Sequence, residues 1–150
     1  MPAPAPAASV QPPAKLHLLI KLPPFTVPRS EPLLSSGQTG RGDLIYIRYV
    51  DATHFQIGHD RWGYGGTLGP VVEYNPDIPL DLDISCPPLL GPGAPARLTV
   101  RLNSQPVLDA EEAFYPSRPE EIEVGRNRIG ASTAEAAFTG NTVVAEWLEP

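Results

Sequence analysis

Two pairs of carboxylates stand at the spacing that a β-strand turns into a shared face: Asp81 with Asp83 in PLDLDIS, and Glu121 with Glu123 in EIEVG. Residues two apart on a strand project to the same side, about 7 Å from each other, a separation that suits the paired acid and base of a glycosidase. No further part of the chain offers a clear acid/base partner, so a solvated sheet face is the expectation for both pairs and no catalytic residue is assigned. A Ser or Cys nucleophile needs a positioned base, and His17, His54 and His59 stand in no recognisable motif with Ser85 or Cys86. A different chemistry is offered by Tyr46, Arg48, His54, Gln56, Asp60, Trp62 and Tyr64. Aromatic rings give an apolar platform to the C–H face of a pyranose, Arg and Gln hydrogen-bond vicinal hydroxyls, and Asp accepts from them. These seven are the candidate ligand-binding residues. The plainer alternative is the solvent side of an antiparallel sheet, with Arg48 and Gln56 a cross-strand polar pair.

What must position them is the stretch DLIYIRYVDATHFQIGHD, Asp43 to Asp60, where two runs of alternating side chains flank a short polar turn. A three-residue loop of Asp51, Ala52 and Thr53 sets Val50 opposite His54, Tyr49 opposite Phe55, Arg48 opposite Gln56, Ile47 opposite Ile57, Tyr46 opposite Gly58 and Ile45 opposite His59. Ile45, Ile47, Tyr49, Phe55 and Ile57 then share a face to be buried, and Tyr46, Arg48, His54, Gln56 and Asp60 share the polar one. Further strands are expected at Leu16 to Leu22, around Leu33 and Leu34, and at Val71 to Tyr74, Pro79 to Ser85, Arg97 to Leu102, Pro106 to Leu108, Glu121 to Gly125 and Thr142 to Leu148. His17 falls on the surface side of the first. Arg41, Gly42 and Asp43 spell an integrin-binding tripeptide, but a turn ahead of a strand is the expected role of Gly40 to Asp43. RWGYGGTLGP, Arg61 to Pro70, has no helix behind it to supply oriented N–H groups to a phosphate, so it reads as a loop at one end of the sheets.

The 150 residues hold 20 Pro and 13 Gly and no long helical pattern, which favours an all-β domain of short strands in two face-packed antiparallel sheets. A net charge of -6, with 11 dispersed basic residues, excludes a nucleic-acid surface and disfavours anionic membranes. Cys86 is the single cysteine, so no intrachain disulfide forms, and it reads as a small buried apolar group. No run is long and apolar enough for a membrane span. Residues 1–14 read as a Pro/Ala linker and residues 15–150 as a single sandwich domain, excised from a larger protein whose compartment is open.

Three stretches in order resemble the concanavalin A-like lectin/glucanase superfamily, and its laminin-G-like branch in particular. LTVRLNSQPVLDAEEAF (Leu98 to Phe114) resembles its strand, tight turn and strand. EIEVGRNRIGAS (Glu121 to Ser132) resembles the strand that follows, and FTGNTVVAEW (Phe138 to Trp147) the closing strand. The resemblance implies a jelly-roll sandwich with its first and last strands paired, and similar GDLIYIRYVDATH and HDRWG stretches are expected in bacterial modules, among them extracytoplasmic ones. The glucanase branch places Glu-x-Asp-x-Glu on a strand of the concave sheet. Here the nearest stretch has Asp81, Asp83 and Ser85, departing at two of the three positions. Laminin-G-like domains also bind calcium, for which Asp51, Asp60, Asp77, Asn127 and Asn141 are oxygen donors without a spacing signature; no other cofactor is expected. The expectation is a non-catalytic binding or accessory module with a glycan, or other domains of a parent protein, as partner. The alternatives are a glycoside hydrolase using the concave-sheet carboxylates and a structural or protein-interaction module.

Overall fold

The computed structural model describes residues 15–86 and 96–148. The expected linker at 1–14, and most of the Pro/Gly-rich connection before Ala96, lie outside the described residues. Alternation decides the first strand, β1 (Lys15–Lys21): Leu16, Leu18 and Ile20 are buried, while His17, Leu19 and Lys21 look outward. The same rule gives β7 (Leu80–Ser85) and β8 (Ala96–Leu102), whose Leu82, Ile84, Leu98 and Val100 are fully buried. β9 (Gln105–Glu112) follows β8 through Asn103 and Ser104, both at positive φ (49° and 73°), the geometry of a two-residue hairpin turn. With β11 (Asn141–Leu148) these strands form one five-stranded antiparallel sheet, ordered β11-β1-β7-β8-β9.

The facing sheet is ordered β10-β2-β3-β4-β5, from β2 (Arg29–Gln38), β3 (Arg41–Asp51), β4 (His54–Arg61), β5 (Gly65–Leu68) and β10 (Glu123–Val124), with β6 (Val72–Glu73) also paired to β4. The β3–β4 register is the one alternation dictates: Tyr49 faces Phe55, Ile47 faces Ile57 and Ile45 faces His59. The turn is one residue tighter than expected, since Asp51 rather than Val50 pairs with His54 and a bulge absorbs the extra residue. Asp51 drives this: its Oδ1 accepts the Thr53 N–H at 2.9 Å and lies 2.8 Å from His54 Nδ1. Ile45, Ile47, Tyr49, Phe55 and Ile57 meet Leu16, Leu18, Ile20, Leu82, Ile84, Leu98 and Val100 in one core, each fully buried side chain contributing about 1.5–3 kcal/mol. Cys86 belongs to this core, and burial pushes its thiol pKa up to about 12.

Four expectations are corrected. Arg41-Gly42-Asp43 is not a turn but the start of β3, with Gly42 and Asp43 buried. Arg61 to Pro70 is not a free loop, because β4 runs to Arg61 and turns back as β5. The strand at Pro106 to Leu108 is the first half of a longer one, Gln105–Glu112. Glu121 belongs to a single 3-10 turn, Pro119–Glu121, rather than to the strand with Glu123. It is buried there, accepting the Arg118 N–H and a Gln38 amide, which hold its pKa below the ordinary value.

The outer face of the second sheet is covered by the irregular segment Gly125 to Phe138. Ile129 and Ala131 pack on Leu44 of β3, with Tyr46, Trp62 and Ala134 at the margin. The segment is scaffolded by Asn127, whose amide donates to the carbonyls of Ala131 (2.7 Å) and Ala134 (3.0 Å) and accepts the Ala131 N–H (3.1 Å). Ser35 and Thr39 of β2 and the adjoining turn tie it down by donating to the carbonyls of Arg126 and Ile129.

Candidate functional site

On β4 the alternation that sends His59 into the core sends Asp60 to the outer face, opposite Leu44. Two residues on, Trp62 is anchored by its N–H to the Gly42 carbonyl (3.0 Å), while its own carbonyl accepts the Tyr115 hydroxyl (2.7 Å). Gly63 at φ 83° turns the chain there, a conformation that disfavours any side chain with a Cβ. Trp62 and Asp60 thus form one wall of a groove of about 370 Å³, and Gly130, Ala131, Ser132 and Thr133 of the covering segment form the other. The Thr133 hydroxyl donates to Asp60 Oδ2 and fixes the carboxylate at the groove's edge. Behind the groove, Trp62 packs against the buried cluster of Leu44, Ile129 and Ala131. A second groove of about 430 Å³, beside Arg29, Glu31, Glu135 and Thr139, has no aromatic wall.

Of the seven candidate ligand-binding residues, the structure brings Asp60 and Trp62 into the groove and places Tyr46 beside it. Burial, and secondarily the charge of Asp60, raise the Tyr46 pKa above its ordinary value. Tyr46 lies flat over its cross-strand partner because that partner is Gly58, where a Cβ would sit 2.4 Å from the ring. Arg48 is exposed on the same face. His54 turns to Asp51, and Gln56 donates to the Gly69 carbonyl at 3.0 Å. Tyr64 leaves the groove altogether: its ring and that of Tyr115 lie 4.4 Å and 4.5 Å from the Arg61 guanidinium. Ser132 and Thr133 are the polar groove residues that sequence reasoning missed, with Gly63, Gly130 and Ala131 beside them.

Two polar clusters accompany the groove. Inside the sandwich, His59 is held between Asp43 Oδ2 at Nε2 and Glu112 Oε1 at Nδ1, both at 2.7 Å, and stacks on Phe114 at 4.3 Å. The Tyr115 N–H and the Thr67 hydroxyl complete the two carboxylates. Burial raises the Asp43 pKa above its ordinary value against the pull of His59. With His59 1% exposed, this cluster is a structural node of the interior rather than a reaction centre. On the outer face of the first sheet, His17 lies 2.8 Å from Asp81 and 3.1 Å from Glu146. The expected calcium donors are dispersed in role: Asp51 serves the β3–β4 turn, Asn127 the covering segment, and Asp60 the groove.

Fold and site together define a two-sheet antiparallel β-sandwich with a lateral, aromatic-walled groove. No protein-family model matches the chain, and no curated protein or solved structure is significantly similar to it.

Proposed function

We propose that the chain is a non-catalytic binding module, a jelly roll of the concanavalin A-like kind, that takes a carbohydrate in the groove between Trp62 and the 130–133 wall. The pairing of β1 with β11 supports the jelly-roll reading. The observation that carries the ligand class is the lining: an aromatic wall, two hydroxyls, an oriented carboxylate and otherwise only Gly and Ala. Small residues leave room for a ring, the indole offers it an apolar surface, and Asp60, Ser132 and Thr133 supply hydrogen bonds to hydroxyls. The same lining favours binding over hydrolysis, because the groove holds one carboxylate where glycoside hydrolysis uses two. Of the two strand pairs, Asp81 is already engaged by His17, and Glu121 is turned away from Glu123 into the 3-10 turn.

A glycan array probed with the full chain, with and without calcium, tests this. A hit is expected, and Trp62→Ala and Asp60→Asn should each weaken it by at least about tenfold, equivalent to 1.4 kcal/mol, while Tyr64→Ala leaves it unchanged. Glycan affinity that survives both groove substitutions in folded protein excludes this site. Reducing ends released from β-glucans, xylan or galactans, and lost in Asp81→Asn, would replace the binding reading with the hydrolase.

A further inference from the structure

The outer face of the first sheet carries a donor set that the groove does not use. His17 of β1 stands opposite Asp83 of β7 on one side and Glu146 of β11 on the other, and Asp81 is the next residue of β7 on that face. All four side chains point away from the core, because the residues that alternate with them, Leu16, Leu18, Leu82 and Ile84, are buried in it. One ligand-capable atom each from His17, Asp81 and Asp83 lies within 4.8 Å of the others. Ligands at 2.0–2.1 Å around a tetrahedral ion are about 3.3 Å apart, so closing the set on an ion takes side-chain torsions alone and leaves the strand ladder intact.

We infer that His17, Asp81 and Asp83 form a binding site for a divalent transition-metal ion of the zinc class, with Glu146 as the carboxylate that orients the imidazole. Three features of the cluster argue for it. Glu146 holds Nδ1, which leaves Nε2 directed at Asp81, the arrangement in which a ligating histidine donates its other N–H to a carboxylate. Among the described residues His17 is the sole cationic partner within 4 Å of Asp81 and Glu146, and Asp83 has none. The nearest other charges on this face are Arg101, across from Asp83 on β8, and Lys15 and Lys21 along β1, while Arg97 is paired with Asp109 farther out, so none of these cations comes within 4 Å of the three carboxylates that surround His17. Finally, one imidazole with carboxylates is a mixed N/O set, which a borderline ion accepts and which the hard, all-oxygen preference of calcium does not match.

Calorimetric titration of the full chain with zinc chloride, in a buffer that does not chelate, should show one ion per chain. Cobalt(II) should give the intense visible bands of a tetrahedral site without a thiolate charge-transfer band. His17→Gln and Asp83→Asn, each checked for its β circular dichroism spectrum, should weaken zinc binding by at least about tenfold. Glu146→Gln should weaken it by about 10–100-fold. Absence of binding, zinc affinity unchanged in both ligand variants, a thiolate band locating the ion at Cys86, or calcium bound in preference to zinc would each overturn the assignment. The glycan measurements address a different face of the molecule, so either proposal can fail alone.

Discussion

One imidazole shared by a buried and a half-buried carboxylate sets the behaviour of the sandwich interior. With Asp43 and Glu112 each 2.7 Å from His59, the imidazole stands between two carboxylates that would otherwise repel. Asp43 has its pKa raised by burial, so its contribution to stability is full below the ordinary value of 3.8 and is lost as pH rises through the higher folded value. Glu121 runs the other way. Its pKa is depressed by the Arg118 N–H and the Gln38 amide, so its contribution is present above 4.5 and disappears as pH falls through the lower folded value. Removing the imidazole exposes the asymmetry. His59→Leu should cost about 3–5 kcal/mol at neutral pH in urea unfolding, because Asp43 is left buried without its imidazole partner. Most of that deficit should vanish as pH falls and the buried Asp43 takes up a proton; a deficit independent of pH would mean that only shape was lost. In the sequence His59 was visibly on the inward face of β4, opposite Ile45, but its partners lie 16 and 53 residues away and leave no local mark.

At the scale of the element, the segment Gly125 to Phe138 builds the groove without any periodic structure. Its shape comes from Asn127 bonding residues four and seven positions on, and from hydroxyls of β2 and its turn. Asn127→Ala deletes three hydrogen bonds, each worth about 1 kcal/mol net, so a loss of about 2–3 kcal/mol is expected. Amide exchange should accelerate at Ala131 while the β3–β4 ladder stays protected, and glycan binding should fall with it. Equal acceleration everywhere would show that the segment and the sheet open as one unit. This is the part of the site the sequence concealed, since side-chain-to-backbone bonding has no repeat to detect. The strands were the opposite case. Period-two runs such as Leu16, Leu18, Ile20 and Ile45, Ile47, Tyr49 announce which face is buried, and that rule placed Asp60 outward. It could not place the bulge at Val50, which follows from the Asp51 side chain closing the turn.

For the molecule as a whole, alternation specifies two amphipathic sheets but not which strands lie side by side. The His17, Asp81, Asp83 and Glu146 cluster depends on β1 lying between β7 and β11, pairings that cross 64 and 129 residues. His17, Asp81 and Asp83 were legible as outward-facing, the side taken by Glu146 was not, and neither was their meeting. The β1–β11 pair has a mechanical consequence as well. Lys15 lies opposite Leu148 in an antiparallel ladder at the edge of its sheet, so a load applied through these two residues acts at one end of the same ladder. The load reaches the interstrand bonds successively, as in opening a zip, instead of shearing all of them together. Stretched between handles at those points, the chain should therefore give way first at β11, at a force well below that needed when it is pulled through Lys15 and Asn141, at opposite ends of the β1–β11 ladder, which loads all its bonds in shear. A sandwich of this build is compliant toward tension applied there, with β11 as the strand that yields.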